Sequence, residues 1–368
     1  MASWQAAALN IALHLTIKRV MSRTGTVAAT RRFVESRRRV RLPAGCEATP
    51  VKSHTFHGEW IRSPESSDRR TLLYFPGGGF MLPASAQITQ LILRINREAG
   101  TRGLLVHYRL APEHPFPAGL DDCIAAYHHL LDTGTDPRSI VLAGDSAGGG
   151  LVLSTLLALR DAQVPMPAGA VVISPFTDFT YCGESRTAND WRDPMLSNDG
   201  VLQMNELYLR GTPAEDPLVS PVYGDYRGLP PILAHVGSSE ILLDDTRRVA
   251  RRARAQSVDF DVEVWAEMPH VWHLWPFLPE AQLAVKRVAE FIRERTGGRH
   301  DALAARAAGN GEPPHAPGAS NGRGIERGNG RGNAGGNGRA GGHGRAQGPA
   351  DGKRTHGRPG APRNGARP

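Results

Sequence analysis

Cysteine is scarce in this chain and does not pair by pattern. Cys46, Cys123 and Cys182 are the only three, and no C-x-x-C spacing occurs. That excludes a disulfide framework and fits a reducing compartment, so a cytoplasmic location is expected. Long apolar runs are also missing, and none approaches the roughly 20 residues a bilayer requires. Leu9, Leu13, Ile17 and Met21 do recur at helical spacing, a stripe that reads as a face packed on the domain in preference to a membrane anchor. Met1–Val20 lacks both an early basic region and a small-residue cleavage site, so no secretory signal is expected.

Net charge is nearly absent from the first 300 residues. The whole chain carries +8, but residues 301–368 hold ten Arg and one Lys against Asp301, Glu312, Glu326 and Asp351, a net of +7. The basic character therefore says little about the folded part. Residues 298–368 are mostly Gly, Arg, Asn, Ala and Pro, with almost no large apolar residue after Leu303. Such a segment cannot bury enough surface to offset its ordering entropy, and it reads as a disordered tail. Units such as Arg327-Gly328-Asn329-Gly330-Arg331-Gly332 resemble Arg/Gly segments that bind RNA through charge. The tail has no aromatic residue for base stacking, so a solvated extension is the preferred reading over a nucleic-acid contact.

What remains is enough for one large α/β domain. Helical patterns run at 5–22 and 27–39, and a β-region covers Thr55–Ile61. Strands then fit Thr71–Phe75, Leu104–His107, Ser139–Ala143, Ala170–Ser174, Ile232–Val236 and Val258–Val264. Helices fit Ala86–Glu98, Gly119–Leu131, Gly149–Arg160, Leu242–Ala255 and Pro279–Arg295. Strands alternating with helices imply a mostly parallel sheet covered on both faces. Residues 176–230 break this rhythm with Asp, Pro, Asn and aromatic residues. They read as a cap insertion within a domain spanning 46–297, joined by cap helices from residues 1–45.

Gly144-Asp145-Ser146-Ala147-Gly148 lies between an apolar strand and a helix. A serine squeezed there sits on a tight turn, projects its hydroxyl outward and faces the helix N-terminus. By itself the pentapeptide is also compatible with a serine in a Gly-rich turn. A serine hydroxyl needs a base to take its proton and a carboxylate to orient the base. His270 fits the base, in a loop after the Asp259–Trp265 strand and stiffened by Pro269; His273 is its rival. The acid follows the strand at Ile232–Val236. Glu240 is first out of that strand and is favoured over Asp244, while Asp245 reads as a first-turn helix residue. Upstream, Thr71–Phe75 runs into Pro76-Gly77-Gly78-Gly79-Phe80, where backbone N–H groups can turn inward to hold a negative oxygen. The amide of Ala147 is the remaining donor. His128-His129 and the His54/His57 pair have no carboxylate or thiol cluster beside them, and no metal site is expected.

Taken together these motifs resemble the α/β-hydrolase superfamily, and within it the bacterial hormone-sensitive-lipase-like esterases. The resemblance covers roughly Gly58 to Phe291. It rests on the glycine loop, the segment from Tyr108 to Ala118, the serine elbow, Asp193-Pro194-Met195 and Pro269-His270. It implies hydrolysis of short to medium acyl esters without metal or organic cofactor, with Ser146 as nucleophile, Glu240 as acid, His270 as base, and Gly78, Gly79 and Ala147 at the oxyanion. Lactones, acetyl esters and amides are alternative substrates of the same machinery, and a non-catalytic binding protein is the rival class. A homodimer is compatible. Phe80, Met81, Trp191, Met195, Leu196 and Trp272 are candidates to line an acyl pocket or to pack in core or cap. One residue departs from the family pattern: Pro76 stands where relatives begin the loop with histidine.

Overall fold

The computed structural model describes residues 2–18, 27–36, 41–202 and 205–297. The tail expected at 298–368 lies outside them, as do the ends of the two N-terminal helical patterns.

Within the described residues one eight-stranded sheet forms the centre, in the order β1-β2-β4-β3-β5-β6-β7-β8. Its strands are β1 (Glu47–Pro50), β2 (Gly58–Arg62), β3 (Ser67–Phe75), β4 (Thr101–Val106), β5 (Ile140–Asp145), β6 (Gly169–Ile173), β7 (Ile232–Gly237) and β8 (Phe260–Trp265). β3 to β8 pair in parallel, while β2 runs antiparallel to both β1 and β4. The central strands β5, β6 and β7 are buried along their whole length, as strands covered on both faces must be. Their Val, Ile, Leu and Ala side chains alternate between two cores. β1 escaped the sequence pattern because it is short and solvent-exposed throughout.

Helices α3 (Ala86–Ala99) and α10 (Pro279–Gly297) cover one face. On the other lie α4 (Ala118–Asp132), α5 (Ala147–Asp161) and α9 (Leu243–Ala255). Preceding the sheet are α1 (Trp4–Leu13), extended by a π-turn to Lys18, and α2 (Val27–Ser36). The stretch between β6 and β7 contains no described strand. It holds the short helices α6 (Ser185–Ala188), α7 (Asn198–Leu202) and α8 (Asn205–Leu209). No helix among the described residues is long and apolar enough to cross a membrane.

Candidate active site

Parallel strands deliver their C-terminal ends to one edge, and here that edge collects the polar chemistry. Ser146 follows β5, Ser174 follows β6, Glu240 follows β7 and His270 follows β8, in adjacent positions across the sheet.

Ser146 is held at φ 52°, ψ −122°, a region L-residues rarely adopt. Such a conformation costs about 1–3 kcal/mol and persists only where its surroundings dictate it. They do so here. The Ser146 amide donates to Ile173 O at 2.8 Å, and its carbonyl accepts from Phe176 and Gly150. A side chain at Gly148 would collide with Phe75 O at 2.0 Å, and one at Gly144 with Gly148 O at 2.5 Å. The glycines thus let β3, β5 and α5 close around a strained serine.

The Glu240 carboxylate is fully buried and fully engaged. Its Oε1 accepts from Gly237 N at 2.6 Å and from Ser174 Oγ at 2.8 Å. Its Oε2 lies 2.8 Å from His270 Nδ1. Burial pushes the His270 imidazole down, but the Glu240 hydrogen bond and the charges of Glu240, Asp193 and Asp145 outweigh it. The net shift is upward from the ordinary value of 6.5. Asp244 takes no part: its Oδ2 accepts from Ser185 N at 2.8 Å. Asp245 is buried against Arg186 at 3.0 Å. His273 is likewise turned away. Its Nε2 meets His235 Nδ1 at 3.0 Å, and burial together with His235 and Arg94 holds its pKa well below the usual range.

The loop after β3 is built from backbone. Gly78 adopts φ 139° and Gly79 φ 58°, positions that favour glycine. Gly78 O accepts from Met81 N and Leu82 N, closing the turn. The amides of Gly78, Gly79 and Ala147 find no protein acceptor among the described residues. Two side chains fix the loop. Tyr108 Oη donates to Pro76 O at 2.8 Å. Asp145 Oδ1 accepts from Gly77 N at 3.0 Å and from Tyr74 Oη at 2.9 Å. Burial raises the Asp145 pKa, and those two donors work against the rise. Next in the chain, Phe80 stacks on Tyr208 with ring centroids 4.0 Å apart, beside Phe176 and Phe179.

Several structural supports were not assigned from sequence. Ser174 bridges Glu240 and the Val271 amide. Asp193 accepts from Met195 N and Leu196 N through one oxygen and from Ile241 N, next to Glu240, through the other. Asn189 donates to the carbonyls of Ser238 and Glu240. Asp193 opens the Asp193-Pro194-Met195 motif, which is a signal; Ser174 and Asn189 carry none. Of the pocket candidates, Trp272 is core, packed with Ala6, Leu278 and Ala281, and Trp191 points to solvent.

A strained serine on a strand–helix elbow, a Glu–His pair on the same sheet edge and a glycine loop opposite define the α/β-hydrolase class of enzyme. Comparison with known proteins agrees. Residues 72–274 match the family described as alpha/beta hydrolase fold. An acetyl-hydrolase of Streptomyces hygroscopicus is 44% identical over 65% of this chain and 80% of its own length. An esterase of Acinetobacter venetianus is 33% identical over 66% of this chain and 80% of its own. The crystal structure of an esterase from the bacterial hormone-sensitive lipase family superposes with a TM-score of 0.75 at 40% identity, covering 81% of this chain and all of the other. That of EstE5 gives 0.77 at 37% identity, with the same coverage. The chain belongs to this alpha/beta hydrolase family, in its bacterial hormone-sensitive-lipase branch, and is an enzyme of the ester-hydrolysing class.

Proposed function

We propose that the chain hydrolyses carboxylic esters of short to medium acyl chains through Ser146, His270 and Glu240 by way of an acyl-enzyme. The observation that carries this reading is the buried Glu240–His270 hydrogen bond of 2.8 Å on the sheet edge that bears the strained Ser146. His270 takes the Ser146 proton as Oγ attacks the ester carbonyl, and Glu240 stabilises the imidazolium. The amides of Gly78, Gly79 and Ala147, which lack a protein acceptor, receive the oxyanion. His270 returns the proton to the leaving alcohol, and water then releases the acid by the reverse sequence.

Residues 1–45 and 176–230 form the cap in this reading, and Asp193 ties the cap to the acid loop through Ile241 N. The likeness to a protein named acetyl-hydrolase supports a small acyl group in this reading. The test is Ser146→Ala with p-nitrophenyl butyrate as substrate. Hydrolysis should fall to near background, while thermal unfolding shows a folded protein. Normal turnover in that variant would overturn the assignment.

A further inference from the structure

Helix α1 presents an apolar face that no described residue covers. Trp4, Ala7, Ala8, Ile11, Ala12 and Leu15 are all exposed. Trp4 is 76%, Ile11 63% and Leu15 55% accessible. At about 100° per residue these three fall within roughly 40° of one another, so they form a single stripe. The opposite side is already used: Ala6 and Leu13 are buried, and Leu9 packs with Trp272 and Leu278. Ser3 Oγ and N bond the Glu280 carboxylate, and Asn10 Nδ2 donates to Glu267 O at 2.9 Å. The helix is therefore fastened to the body with its stripe turned outward. No charged residue precedes Lys18. An uncharged helix this rich in apolar residues belongs in a core or against lipid, and only one side of this one is in a core.

Lys18 extends the patch. Its ammonium donates to the carbonyls of Asp190 and Asp193, which places Trp191, 75% exposed, and the exposed Arg192 close to the end of the same helix.

Charge decides what covers this face. Residues 1–45 contain nine Lys and Arg against Glu35 alone, whereas residues 46–300 contain 24 against 31 acids. A second copy seated on the patch would bring two such cationic segments together. An anionic lipid surface complements both the apolar stripe and the cationic excess of residues 1–45. We propose that the α1 face and Trp191 form a docking surface for an anionic membrane. The stripe enters the interface while the exposed Arg192, close to the end of the same helix, meets the headgroups. Trp4 and Trp191 suit that position, since tryptophan favours the membrane–water boundary. The chain rests on the bilayer and does not span it. The proposal stands apart from the catalytic assignment, because it uses none of Ser146, Glu240, His270, Gly78, Gly79 and Ala147.

The test is flotation of the full-length protein with vesicles of phosphatidylglycerol and phosphatidylcholine, and with phosphatidylcholine alone. Binding to the mixed vesicles should be at least about tenfold stronger and should weaken as salt rises. The full-length double variant Ile11→Ser with Leu15→Ser should lose about tenfold or more of that binding. It should still hydrolyse a soluble short ester at the parent rate. Trp4→Ser provides a milder probe in case the double variant does not fold. Three results overturn the proposal. One is no flotation on anionic vesicles. Another is equal flotation of the parent and the variants, which would assign binding to the Arg-rich tail. The third is a concentration-dependent dimer of the parent that the variants abolish, which would make the cover a second copy.

Discussion

The two halves of the site are made of different material. On the β6–β8 side the chemistry belongs to side chains: Glu240 and His270 meet at 2.8 Å, and Ser174 fills another carboxylate position. On the β3–β5 side the available donors belong to backbone, at Gly78, Gly79 and Ala147. There the side chains, Tyr108, Tyr74 and Asp145, hold the loop from behind. In the proposed mechanism, a residue's identity in the first half is its function. In the second, residues matter through the backbone shape they enforce. Substitutions should therefore cost far more on the first side, in rate, than on the second, where part of the effect should appear as lost stability.

Glu240→Gln strikes the first half hardest short of removing the serine. An amide can donate to Nδ1 and favour the wrong imidazole tautomer, so turnover should fall about 10²- to 10⁴-fold. The pH profile separates this from simple disruption. His270 must be neutral to act as base, so activity in the parent rises as pH climbs through its raised pKa, above 6.5. Glutamine removes the hydrogen bond and charge of Glu240, the largest of the influences that lift it, and leaves burial opposed only by the charges of Asp193 and Asp145. The acid limb should move to lower pH. An unchanged limb with full turnover would mean that the 2.8 Å contact does not set the base.

Asp145→Ala probes the second half. It leaves the Gly77 amide and the buried Tyr74 hydroxyl without their acceptor, each worth about 1–3 kcal/mol. Chemical denaturation should show a loss of a few kcal/mol. Turnover should drop by up to about 10²-fold, the scale of one displaced oxyanion donor. A loss of rate as large as that of Glu240→Gln, without loss of stability, would break the distinction between the halves.

The same distinction explains what was legible in the sequence. The parallel strands were readable because each is a short, mostly apolar run bounded by turn residues, and all of them appear within a few residues of their expected ends. The placement of Ser146, Glu240 and His270 on one edge was readable because the topology forces residues that follow β5, β7 and β8 there. Asp244 competed with Glu240 on spacing alone. The contact of Asp244 with Ser185, 59 positions away, is a tertiary fact that no local pattern encodes. Ser174 and Asn189 act through backbone carbonyls, amides and a neighbouring carboxylate. A residue that supports backbone leaves little signature in its own sequence neighbourhood.

Pro76→His should have the smallest effect, and the comparison says why. Histidine at that place would offer a side chain to steady the loop, and proline offers none. Here the loop is steadied from either side of residue 76 by other means. The Pro76 carbonyl accepts from Tyr108, and the next amide, Gly77 N, is fixed on Asp145. Proline also fixes its own φ, which limits what a new hydrogen bond can add. The donors in question belong to Gly78, Gly79 and Ala147, and the substitution alters none of them. Turnover on a short ester should therefore change by no more than about tenfold, well below the 10²–10³ associated with a true donor. A rise of a hundredfold or more would show that Tyr108 and Asp145 leave the loop poorly set. The backbone half would then depend on side-chain identity as strongly as the half that carries Glu240 and His270.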